Sequence, residues 1–82
     1  MAIIRLFASI REKIGMEQLE IRLTAPCTLR LALLQASEAQ GIDPAVLTGA
    51  SLLYAVNQRM TDLDSTVEEK DEIAVLPPMS GG

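Results

Sequence analysis

The stretch Leu76-Pro77-Pro78-Met79-Ser80-Gly81-Gly82 ends in an α-carboxylate carried on two glycines. Two glycines fall together in the last two places of about 0.5 % of chains of average composition. That is rare enough to weigh against fraying as the whole explanation. A carboxylate is a poor acyl donor, because attack must expel an oxide. Joined to AMP from ATP it gains a good leaving group, and a sulfur or an amine can then take over the acyl group. Gly81 and Gly82, without Cβ atoms, let the backbone pass a narrow channel and approach reactive groups of another protein. Pro77 and Pro78 lack backbone donors, so they end a strand's ladder and push the following chain toward an extended path. At about 3.1 Å per residue, the stretch from Pro77 to the end reaches about 19 Å from the domain. This pattern predicts a tail whose end is activated elsewhere and delivered into a partner's active site.

The rest of the chain offers little competing chemistry. There is no histidine, which removes the commonest general base near neutral pH and the commonest metal ligand. The single cysteine, Cys27, can build neither an internal disulfide nor a structural zinc site. With no histidine to activate it, and Pro26 before it at a helix entry, it reads as a partly buried, inert thiol. The run Glu68-Glu69-Lys70-Asp71-Glu72 places carboxylates side by side, but mixed charge in a turn reads as a solvated face rather than an acid–base pair. No glycine-rich loop follows a strand and opens a helix, so no nucleotide site is visible. An autonomous enzyme is not expected.

Composition narrows the class further. With 82 residues the chain forms one domain, near the lower limit for burying a core unaided. Hydrophobic residues make up 49 %, with one Phe, one Tyr and no Trp, so Leu, Ile, Val, Ala and Met must fill the interior. A net charge of −4 with seven scattered Lys and Arg supplies no basic patch for nucleic acid. No apolar run approaches the roughly 20 residues of a membrane span. The start lacks the basic region of a secretory signal, and a lone cysteine fits a reducing, cytoplasmic setting.

The elements that must position the tail follow from periodicity. Residues 2–7 alternate as a strand, with Ile4 and Leu6 on one face and Ile3, Arg5 and Phe7 on the other. Residues 8–15 read as a short helical turn closed by Gly15. Residues 17–23 alternate again, with Leu19, Ile21 and Leu23 inward, predicting a hairpin with the first strand across one tight connection. Residues 28–40 are the main helix, capped by Thr28, stopped by Gly41, with Leu29, Ala32, Leu33 and Ala36 as its core stripe. Asp43-Pro44 opens a second short helix ending near Gly49. Residues 52–57 read as a central strand, the segment after them as an irregular turn, and 71–76 as the last strand, with Ile73 and Val75 on one face and Ala74 and Leu76 on the other. The order predicts an α+β fold of the ubiquitin-like β-grasp kind: a mixed sheet packed against one main helix over residues 1–76, with an extended, flexible tail over 77–82. If the first and last strands are neighbours, Phe7 and Leu76 share an exposed apolar patch, the mark of a protein interface.

Three segments in register resemble the small, sulfur-carrier subunit of molybdopterin synthase. Residues 6–15, LFASIREKIG, are similar to that family's F-A-x-x-R-E-x-x-G stretch. Residues 54–60, YAVNQRM, are similar to its V-A-V-N strand and turn. Residues 71–82, DEIAVLPPMSGG, are similar to its D-E-x-A-x-x-P-P-x-[SA]-G-G ending. The resemblance implies that Gly82 is adenylated by an E1-like, ATP-using adenylyltransferase and converted to a thiocarboxylate. It implies that Pro77, Pro78, Met79, Ser80, Gly81 and Gly82 insert into the large synthase subunit, where sulfur passes to cyclic pyranopterin monophosphate. It further implies a small subunit that is itself non-catalytic, catalytic residues in the large subunit, two copies of each in the assembly, Phe7 and Leu76 at the subunit contact, and no cofactor bound by this chain. Two departures stand out. Glu69-Lys70-Asp71 replaces the family's frequent D-G-D, which puts the local turn type in question. Val75-Leu76 replaces the aromatic common before the prolines. Two other uses of such a tail remain open: a carrier for thiamine or another sulfurated compound, and a ubiquitin-like protein modifier joined to lysines through Gly82.

Overall fold

Alternating apolar residues and one amphipathic helix account for most of the architecture seen in the computed structural model, which describes residues 1–78. Strand β1 (Ala2–Leu6) buries Ala2, Ile4 and Leu6 and turns Ile3 and Arg5 outward. The chain then bends sharply: Phe7 is extended, and Ala8 takes a left-handed φ of 49° as it enters helix α1 (Ala8–Ile14). Gly15, at φ 81°, closes α1 with its N–H on the Arg11 carbonyl, the backbone region where glycine carries no Cβ penalty. Strand β2 (Gln18–Ile21) pairs antiparallel with β1, Ile4 opposite Leu19. The expected pairing is present, but its connection is not tight, because α1 fills it.

Residues Cys27–Thr28 form a short strand, β3, directly before helix α2 (Leu29–Gln40). Thr28 Oγ1 accepts from the Leu31 N–H at 3.1 Å, the expected cap. Two further N–H groups at the start of the helix are satisfied from outside: Leu29 donates to the Ser65 carbonyl at 2.7 Å and Arg30 to that of Leu63 at 3.0 Å. Leu29, Ala32, Leu33 and Ala36 all face the core, joined by Ser37, whose hydroxyl donates to the Leu33 carbonyl at 2.8 Å. Gly41 ends the helix at φ 69°. Helix α3 (Pro44–Thr48) starts at Asp43, which accepts from the Ala45 N–H at 3.0 Å, and buries Leu47.

Strand β4 (Leu53–Val56) lies inside the sheet, and Tyr54 points into the core, its hydroxyl donating to the Leu47 carbonyl at 2.8 Å. Burial pushes the Tyr54 phenol above its ordinary pKa, against a smaller opposing pull from the Arg30 charge. The segment expected to be an irregular turn is more ordered than its sequence indicates. It contains β5 (Arg59–Thr61), antiparallel to β4, and β6 (Thr66–Val67), which pairs with β3. Strand β7 (Glu72–Leu76) closes the fold between β1 and β4, parallel to the first and antiparallel to the second.

The five-stranded sheet has the order β2-β1-β7-β4-β5, a ubiquitin-like β-grasp arrangement with α2 across one face. Ile4, Leu19, Leu29, Leu33, Leu47 and Ile73 are among its fully buried side chains. Each contributes on the order of 2 kcal/mol of transfer free energy. Among the described residues, no second layer covers the opposite face of the sheet.

Candidate functional site: the uncovered sheet face and the root of the tail

Strand β7 carries the tail, so its register decides which side chains surround the tail's root. Leu6 stands opposite Val75 on β1, and Leu53 stands opposite Leu76 on β4. Val75 is therefore inward, fully buried, while Leu76 is outward and half-buried beside the half-buried Leu53. Phe7, one residue past Leu6, stands at the same end of the face and is 40 % exposed. The strand neighbourhood expected for Phe7 and Leu76 is present. One row further along, Ala74 pairs with Ala55, and Ala55 with Met60, which is 63 % exposed. Together these residues make a mostly apolar surface leading to Pro77 and Pro78.

Polar groups frame that surface. Arg5, opposite Ala74, points outward, and its Nε donates to Glu72 Oε2 at 2.7 Å across the β1–β7 seam. At the far end from the tail, Asn57 clasps the start of β7. Its N–H donates to the Glu72 carbonyl at 2.7 Å, its Oδ1 accepts from the Glu72 N–H at 3.0 Å, and its Nδ2 donates to Asp71 Oδ1 at 2.9 Å. Asn57 and Gln58, at φ 52° and 69°, make the two-residue turn from β4 to β5, and two left-handed central residues are what a type I′ hairpin requires. Sequence reasoning missed this clasp. Its signal was an asparagine directly after a strand, a residue type that tolerates left-handed backbone.

None of the acidic run is buried, but its carboxylates make contacts that the sequence reading did not foresee. Asp71 Oδ2 accepts from the Glu68 N–H at 2.8 Å, and Glu69 Oε1 accepts from the Leu23 N–H at 2.7 Å. With Glu72 on Arg5, three of these carboxylates have partners within the fold. Lys70 is not among the residues with positive φ, so the Glu69-Lys70-Asp71 turn demands no left-handed backbone at that position. Cys27 is half-buried in β3 and packs against the core.

At the root of the tail, Pro77 is half-buried and Pro78 exposed. Both line an open groove of about 600 Å³ between α1 and α3, together with Ile10, Lys13, Val46 and Leu52. The remaining tail positions singled out from sequence, Met79, Ser80, Gly81 and Gly82, lie outside the described residues. Among the described residues, no three His, Cys, Asp or Glu side chains converge to hold a metal, and no helix is long and apolar enough to cross a membrane. The described residues thus present a mostly apolar sheet face that runs to the root of the tail.

Residues 4–82 match the ThiS family. The chain is 33 % identical over 76 residues to the molybdopterin synthase sulfur carrier subunit of Escherichia coli, covering 93 % of each. It is 37 % identical over 78 residues to the subunit of the same name from Haemophilus influenzae, again covering 93 % of each. In fold it is similar to SAMP1 of Haloferax volcanii, with a TM-score of 0.76 and 22 % identity, covering 99 % of this chain and 98 % of that one. It is likewise similar to the small archaeal modifier protein 1 of Methanosarcina acetivorans, with a TM-score of 0.73 and 23 % identity, covering 99 % and 95 % respectively. The sequence matches, extending over the strands, the main helix and the tail alike, establish that this chain belongs to the ThiS family.

Proposed function

We propose that this protein is the sulfur carrier of molybdenum cofactor biosynthesis, the small subunit of a molybdopterin synthase. The observation that carries this reading is the identity of 33–37 % to two curated subunits of that name, spanning 93 % of each. An E1-like enzyme uses ATP to adenylate Gly82, releasing pyrophosphate. A sulfur nucleophile at the level of sulfide attacks the acyl carbon; the bond to AMP breaks, AMP leaves, and a thiocarboxylate remains. The tail then enters the large subunit, with the outward sheet face docked against that subunit and two copies of each chain in the assembly. There the thiocarboxylate sulfur is passed to cyclic pyranopterin monophosphate, and hydrolysis returns Gly82 to a carboxylate. In this scheme the small chain contributes the cargo, its reach and the docking face, while the large subunit supplies the groups that act on the pterin.

The test is a single-turnover transfer. Thiocarboxylated chain, the large subunit and cyclic pyranopterin monophosphate are mixed, and both tail and pterin are followed by mass. The expected result is loss of tail sulfur matched by its appearance on the pterin. A stable thiocarboxylate beside a large subunit shown to be active with its own carrier contradicts the proposal. Lysine conjugates that require Gly82 instead identify a protein modifier. The likeness to the archaeal modifier proteins, at 22–23 % identity, is one of fold.

A further inference from the structure

The uncovered sheet face contains one feature that apolar docking alone does not explain. Arg5 projects from the middle of β1, between Gln18 on β2 and Ala74 on β7. Its side chain is 47 % exposed. A guanidinium has five N–H donors in a planar fork. Among the described residues Arg5 has a single side-chain partner, Glu72, through Nε at 2.7 Å. Glu20 stands two residues along on β2, opposite Ile3, and forms no ion pair with Arg5. No described side chain takes the two Nη groups.

Docking changes their situation. The Arg5 row lies two residues from the Leu76 row, about 7 Å along the strand, so a partner seated over Phe7, Leu76 and Leu53 also covers Arg5. Buried N–H donors left without acceptors cost binding energy, and charged ones cost more than neutral ones. A partner whose surface opposite Arg5 is purely apolar is penalised, whereas one presenting a carboxylate there completes a fork-to-fork pair.

Resting on the reading of this chain as a synthase small subunit, we infer that Arg5 is a specificity-determining residue that receives a carboxylate of the large subunit on its free Nη edge. Glu72 occupies only the Nε donor, and the partner's carboxylate takes the donors that Glu72 leaves. The docking face thereby selects its own large subunit over others with a similar apolar surface but no acid at that point.

The experiment titrates the purified large subunit with the full-length chain and three variants. Arg5→Met keeps an apolar side chain of similar reach and is expected to weaken binding tenfold or more, with a shallower dependence on salt. Arg5→Lys keeps the charge but loses the fork, and falls between the two. Glu72→Gln removes the internal ion pair and leaves the Nη groups free, so it is expected to bind within about threefold of the unmodified chain. Thermal unfolding of each variant alone controls for folding. Arg5→Met binding as tightly as the unmodified chain, or tighter, overturns the inference, as does equal weakening by Arg5→Met and Glu72→Gln. Failure of the unmodified chain to bind the large subunit overturns the underlying reading and this inference with it.

Discussion

Deleting Gly82, or adding one residue beyond it, is expected to abolish sulfur transfer while leaving the domain folded. One extended residue shifts the terminal carbonyl by about 3 Å, and displacement of a reacting group by about 1 Å already costs up to 100-fold in rate. A loss of at least 100-fold in transfer is therefore expected for either variant. Stability should hardly move, because the buried hydrophobic side chains identified run from Ala2 to Val75 and the β7 ladder ends at Leu76. The check is transfer rate beside urea unfolding: activity lost with an unchanged midpoint. Normal transfer by either variant contradicts a role for the terminal carbonyl, and a large shift in midpoint contradicts the separation of tail from core.

Phe7→Ala is expected to weaken association with the large subunit by about 10- to 100-fold. Aromatic anchors at the centre of an interface commonly contribute about 2 kcal/mol or more. The same substitution should destabilise the free domain by only about 1 kcal/mol, well short of the roughly 3–5 kcal/mol for a fully buried phenylalanine. Two observations support the smaller figure. Phe7 is 40 % exposed, and its structural duty is performed by its main-chain carbonyl, which accepts from Ile10 N–H at 3.1 Å and Arg11 N–H at 3.4 Å. Alanine preserves both bonds. Calorimetric titration with the large subunit and thermal unfolding of the free chain separate the two effects. Full affinity retained by Phe7→Ala contradicts the placement of the interface on this face.

Periodicity made most of the fold legible. The inward set on β1 and β2 followed from strict alternation, and the α2 stripe Leu29, Ala32, Leu33 and Ala36 from helical spacing; both sets are buried as expected. Thr28, Asp43 and Gly41 announced helix ends through their own capping chemistry. Strands β5 and β6 were not legible because three residues, Arg59–Thr61, and two residues, Thr66–Val67, are too short to show a period. Their strand character comes from partners elsewhere, β4 and β3.

The site divides along the same line. Phe7 and Leu76 were legible as outward residues because alternation assigns faces without knowing the partner strand. The Arg5–Glu72 pair spans 67 positions and the Asn57–Asp71 bond spans 14. Both depend on a register that β7 acquires only between β1 and β4. The contacts of the acidic run were hidden likewise where they are distant: Glu69 meets the Leu23 N–H 46 positions away and Glu72 meets Arg5. The tail needed no register, since its chemistry is local to its own residues.

The most direct measurement is the mass of the C-terminal fragment after incubation of the chain with ATP, an E1-like enzyme and a sulfur source, followed by a thiol-alkylating reagent. Replacement of oxygen by sulfur nearly matches the mass of one methionine oxidation, and Met79 lies in the fragment, so alkylation rather than intact mass gives the answer. Cys27 is far upstream and does not contribute. An alkylated group at Gly82 is expected, which places the sulfur on the terminal carbonyl. An unmodified fragment, with an E1-like enzyme demonstrably active on its own carrier, would contradict sulfur carriage by this tail.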